Sequence, residues 1–286
     1  MRMNVSLTIA LLVAALFVAC GGDGANGGPR GSDVPQDGPP QLVHVHGLGL
    51  NAADQTLYVA THNGLYRLKE GNPELVGGRN WDVMGFTVRG PDDFIGGGHP
   101  SPDEIRQNKY PPLLGFIETK DGGDSWAILA MEGEVDLHAL AVGDDEIYAA
   151  DSSSGRLLAS SDGRTWETRS NLAAMSLAVE AGGRVLATTR AGLMESLDGG
   201  RTWKALTGAP PIVLAAIEAG GTLWGVAADG AVHRNDGAGG WRKMGTLAGR
   251  PEAFTASPGR LFAATDRGIF ESSDGVSWKT IYTTPE

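Results

Sequence analysis

The sequence predicts an all-β protein, a six-bladed β-propeller, and three observations carry that expectation. An Asp-Gly turn followed by a tryptophan recurs as Asp121/Trp126, Asp162/Trp166, Asp198/Trp203, Asp236/Trp241 and Asp274/Trp278. The tryptophans are 40, 37, 38 and 37 residues apart, and a fixed period of that size marks a repeat architecture. Glycine is abundant, at 43 of 286 residues, as a chain dense in turns requires. Few segments carry a 3.6-residue apolar period, whereas short apolar runs bounded by turn residues recur throughout.

The chain begins with a positive residue, Arg2, followed by an uncharged, mostly apolar run of 15 residues from Val5 to Ala19. That run is short for a membrane span and reads as a signal peptide, residues 1–19. Its end, Leu16-Phe17-Val18-Ala19-Cys20, resembles a bacterial lipobox. The resemblance implies cleavage before Cys20, lipid on its sulfur and an extracytoplasmic protein anchored to a bacterial membrane through lipid alone. Cys20 is the only cysteine, so no internal disulfide is available and the core must hold the fold. Residues 20–40 read as a flexible tether, with seven Gly and four Pro between Gly21 and Pro40. A formal net charge of −11 argues against nucleic acid as a partner and against a domain lying flat on anionic lipid.

Residues 41–286 then divide into six units of strand, turn, strand, loop, strand, Asp-Gly turn and Trp strand. The third unit is expected to have strands at Leu137–Val142, Glu146–Ala150, Arg156–Ser160 and Thr165–Arg169. The first lacks the turn motif but keeps the skeleton, at Val43–Leu50, Thr56–Ala60, Gly64–Lys69 and near Glu74–Val76. Ring closure is expected to rest on packing of the sixth unit against the first. In each motif Gly supplies a positive φ, Asp bonds nearby backbone N–H groups and Trp returns the chain to the apolar layer.

Stretches such as Ser196-Leu197-Asp198-Gly199-Gly200-Arg201-Thr202-Trp203 resemble the Asp-box, or BNR, repeat of sialidase- and sortilin-type propellers. The resemblance spans roughly residues 42–282. It implies that the boxes are structural and lie away from the active face, and it attaches the label glycosyl hydrolase-like.

Aligning the inner strands places two rings of residues at the opposite mouth of the channel. One holds His44, Asp82 and Asp136; the next holds His46, Met84, His138, Met175 and Glu252. Loops on the same face add His62, His99, Asp151 and Arg190. Five of the six histidines therefore gather in units one to three. The loop of residues 99–112 in unit two is far longer than its counterparts and reads as a stiffened arm over that face.

Three functions compete for this face. In the first, His46, Met84, His138 and Met175 hold a transition metal, copper being favoured by imidazole with thioether, while His44, His62, His99 and Arg190 bind ligand. In the second, Asp82, Asp136 and Glu252 act as acid, base or nucleophile of a glycoside hydrolase. The resemblance raises that reading, but no Arg-Ile-Pro segment of the sialidase type occurs. In the third, the disc binds an envelope protein, peptide or glycan, with the arm and Trp81 as contacts; Trp81 is otherwise the box tryptophan of unit one. Binding leads and glycoside hydrolysis is the alternative.

Overall fold

The computed structural model describes residues 41–237 and 240–285. The segments expected to be a signal peptide, a lipid-bearing Cys20 and a tether lie outside the described residues. Six four-stranded antiparallel sheets, each cut from one continuous stretch with its strands in sequence order, form the blades of a propeller. Their innermost strands are Val45–Leu50, Asp82–Gly90, Leu137–Val142, Ser176–Val179, Ile212–Ile217 and Pro251–Ser257, and together they line a central channel. In the third blade the expected strands recur within one or two residues, as Leu137–Val142, Ile147–Asp151, Arg156–Ser160 and Glu167–Asn171.

The second strands explain why the ring is stable. Leu57–Thr61, Ile147–Asp151, Val185–Thr189 and Leu223–Ala227 are buried at every position. A strand covered on both faces by neighbouring blades loses the usual alternation and reads as a continuous run of apolar and small residues. Burial is organised as six clusters, each shared by two adjacent blades. Trp126, Trp166, Trp203, Trp241 and Trp278 each pack against one of them.

The repeated turn is built around a buried hydroxyl. Thr119, Ser160, Ser196 and Ser272 are at most 5% exposed, and each donates to Oδ1 of the Asp two residues on, at 2.7, 3.0, 2.7 and 3.0 Å. The same hydroxyl oxygen accepts a glycine N–H at 2.8–2.9 Å. In Asp198, Oδ1 then accepts the N–H groups of Arg201 and Thr202, closing the loop with Gly199 at φ 70°.

Asp236 departs from the expected role. The hydroxyl position is occupied by Arg234, so there is no hub to orient the carboxylate, and Asp236 instead accepts from Arg242 at 2.8 Å. Trp81 is also corrected. It follows the outer strand Asn72–Leu75 and immediately precedes Asp82–Gly90, whereas the five tryptophans of the repeated motif open or directly precede outer strands. Blade one replaces the box by a Glu70-Gly71 hairpin with positive φ at both residues. At 2% exposure Trp81 is no surface contact either.

Candidate functional site

At the channel mouth the backbone itself aims the side chains. In five blades the inner strand carries one extra residue against its partner, and that residue is His46, Met84, His138, Val213 or Glu252. A β-bulge turns its extra residue out of the regular alternation. The inner ring read from the sequence is thus a ring of bulges, with Met175 just ahead of its strand in blade four. Below it the channel encloses about 440 Å³, with His46, His138, Met175 and Glu252 among its lining residues.

Two sets of donors converge there. In the first, Asp82 of blade two lies between two imidazoles of blade one: Oδ1 is 3.1 Å from His46 Nε2 and Oδ2 is 2.8 Å from His62 Nδ1. In the second, Asp136 of blade three takes the place of Asp82. Its Oδ2 is 3.0 Å from His138 Nε2 and its Oδ1 is 3.4 Å from His99 Nε2. In each set one ligand atom per residue lies within 4.8 Å of the other two. The His46 side chain is 7% exposed, while His62 opens to solvent.

These close approaches are not hydrogen bonds. His46 Nε2, Asp82 Oδ1, Asp136 Oδ1 and His138 Nε2 are all buried without a hydrogen-bond partner. For His99 the chemistry is explicit. Its Nδ1 is 3.0 Å from the carbonyl oxygen of Pro112, which can only accept, so in the neutral ring the proton sits on Nδ1. Nε2 then turns a lone pair towards the carboxylate of Asp136. A lone pair facing an anion is repulsive unless a proton or a metal ion lies between them. Asp136 is itself fixed: its Oδ2 accepts from Ser152 Oγ at 2.7 Å and its N–H donates to Asp151 at 3.1 Å.

His46 and His138, expected in one ligand set, fall into different ones, and each set is made of imidazole and carboxylate alone. Met84 holds the bulge of blade two, and Met175 is 47% exposed. The thioether preference for copper therefore has no place in either set. Asp82 and Asp136, expected as paired catalytic carboxylates, each face imidazoles. Glu252 lies elsewhere, with Oε2 accepting the Val45 N–H at 3.0 Å across the junction of blades six and one.

His44 and His46 do not share a strand face. His44 adopts φ 49° ahead of the strand, and its ring stands edge-on to His46 at 4.6 Å. Its Nε2 lies 4.0 Å from Glu252 Oε1. Burial, followed by the neighbouring His46, lowers its pKa, against the pull of Glu252. Arg190 is exposed and forms no ion pair among the described residues. Sequence reasoning missed Glu104, Pro112 and Ser152. The signature Ser101-Pro102-Asp103-Glu104, a capping box with Pro at the first turn, marks the arm's helix and could have singled out Glu104.

Fold and site together define a six-bladed propeller with two adjoining His/Asp donor sets at its channel mouth. No protein-family model and no curated protein matches the chain. Among solved structures it is similar to a gluconolactonase, XC5397 from Xanthomonas campestris, with TM-score 0.62 and 15% identity over 79% of this chain and 84% of that one. A chain of the nidogen/laminin complex gives 0.62 and 13% over 79% and 93%. The GH74 xyloglucanase from Xanthomonas campestris gives 0.56 and 18% over 81% of this chain but 43% of its own. Enzymes and a binding protein thus share the fold, which does not choose between them.

Proposed function

We propose that this protein is a binding propeller that holds a divalent transition-metal ion in each of its two donor sets, His46/His62/Asp82 and His99/Asp136/His138. The observation that supports it is the convergence of buried nitrogen and oxygen atoms that make no hydrogen bonds, with the His99 proton committed to the far side of its ring. Two imidazoles and a carboxylate form a borderline donor set suited to zinc or ferrous iron rather than Cu(I). Three protein donors leave coordination positions for solvent or a ligand entering from the channel. The Asp-Gly turns fit a member of the Asp-box group of propellers. The leader and Cys20 fit lipid anchoring outside the cytoplasmic membrane, where an envelope protein, peptide or glycan is in reach.

The test is metal content. After incubation with zinc and desalting, the protein is expected to retain two equivalents, His46→Ala and His138→Ala one each, and the double variant none. Absence of retained metal in the parent, or equal retention in the double variant, would overturn the reading.

A further inference from the structure

The arm of blade two leaves the sheet at His99 and rejoins it at Phe116, and along the way it touches the surroundings of both donor sets. At its far end the Pro112 carbonyl oxygen accepts a hydrogen bond from His99 Nδ1–H. Near its start Ser101 caps the short helix Pro102–Arg106 and shares a capping box with Glu104. The Glu104 carboxylate does more than cap. Its Oε2 accepts the indole N–H of Trp81 at 2.6 Å, and its Oε1 accepts from Lys109 at 2.9 Å. Burial opposes ionisation of Glu104, but the hydrogen bonds from Lys109, Trp81 and Ser101 outweigh it and hold its pKa low. Trp81 is clamped on its other sides as well. The Arg79 guanidinium lies 4.6 Å over its ring, and Tyr110, also from the arm, meets it edge-on at 5.5 Å.

Trp81 is the residue before Asp82, the carboxylate of the first donor set. Asp82 and His99 face each other as partners on one ladder rung. The arm therefore grips both ends of that rung, through Trp81 on one strand and through the imidazole of His99 on the other. Each end supplies one donor, to a different set.

We infer that the arm is part of the metal-binding apparatus and that Glu104 is a positioning residue: through Trp81 it fixes Asp82 for the first ion while touching no donor itself. This rests on the metal reading above. A carboxylate free to rock must be ordered each time the ion binds, and loss of such outer contacts typically costs about 10–100-fold in metal affinity. The effect is specific to the first set, because the second set depends on the other end of the arm, where the backbone of Pro112 meets His99.

The experiment measures zinc affinity by competition with a chromophoric chelator in two parents, His138→Ala, which isolates the first set, and His46→Ala, which isolates the second. Adding Glu104→Ala, which removes the acceptor of the Trp81 N–H, or Trp81→Phe is expected to weaken the first set about 10–100-fold and leave the second unchanged. Trp81→Phe keeps a buried aromatic ring and removes the N–H donor. Asp103→Asn is the control, since Asp103 is exposed and, among the described residues, its carboxylate pairs only with Arg106 on the same helix; it is expected to change neither set. Unchanged affinity in both test variants would overturn the role of Glu104 while leaving the metal sites intact. Equal weakening of both sets, or equal weakening by Asp103→Asn, would overturn it too, in favour of general destabilisation or bulk charge. A His138→Ala protein that binds no zinc would instead bring down the metal reading itself.

Discussion

Four buried hydroxyls, those of Thr119, Ser160, Ser196 and Ser272, explain why the repeated turn tolerates so much variation elsewhere. Each hydroxyl has one proton and two lone pairs, and it spends them on the Asp carboxylate and on backbone N–H groups that would otherwise be buried unpaired. The carboxylate in turn gathers the next N–H groups, and that is visible in its acidity. In Asp162 the backbone N–H groups of Thr165 and Arg164 lower the pKa from 3.8 to about 2. Because the folded value is depressed, this contribution to stability is complete above the ordinary 3.8 and is lost as pH falls through about 2. Asp162→Asn should therefore lie below the parent in urea midpoint at neutral pH, and the gap should close between pH 4 and 2. A gap independent of pH would show that the carboxylate charge is not what the turn uses. The donor sets obey the same accounting in reverse: His46 Nε2 and Asp82 Oδ1 sit 3.1 Å apart with neither satisfied.

Among the elements, the bulged inner strand decides where function can lie. In five of the six blades one extra residue rotates a side chain out of the sheet's alternation and towards the mouth. Blade two shows how tightly this is built. Gly98 adopts φ 142°, and the Asp82 carbonyl oxygen occupies the space that any side chain at this position would need. Gly98→Ala should cost at least about 1–3 kcal/mol in backbone strain alone, read as a lower thermal midpoint, and should shift Asp82 enough to abolish retention of the ion proposed for the first set. The repeat made the blades and their registers legible, because a period near 38 residues can be counted without knowing any contact. It also placed His46, His138 and Asp82 at one face. It could not divide the histidines into two sets, since that depends on which blade's loop reaches over which neighbour. His62 and His99, assigned to general ligand contact, become donors only because the loop between second and third strands leans onto the following blade. Glu104 and Pro112 escaped notice because their role is set by where the arm lands.

Over the whole molecule, five of the six inter-blade clusters have a box tryptophan packed against them, and the sixth does not. That sixth cluster joins blade six to blade one, where Leu42, Val45 and Leu48 meet Phe262, Ala264 and Ile269. No strand is exchanged across it among the described residues, as expected from the sequence. Polar contacts supplement the packing: Leu42 N–H donates to the Tyr282 hydroxyl at 3.3 Å, and Val45 N–H to Glu252 at 3.0 Å. Glu252→Ala leaves that N–H without its acceptor and is expected to destabilise the protein by about 1–3 kcal/mol. Hydrogen exchange should then quicken in Val45–Leu50 and Pro251–Ser257 before it does in blades three and four. Uniform loss of protection around the ring would show that closure is not localised there.

Because every blade is spelled by uninterrupted text, the present ends of the domain are one choice among six. A circular permutant that joined Thr284 to Leu42 and opened the chain between two other blades would keep all twenty-four strands whole. The joint between blades six and one would then become a covalent one, and both His/Asp donor sets would sit in a ring fastened where it is now held by packing and hydrogen bonds.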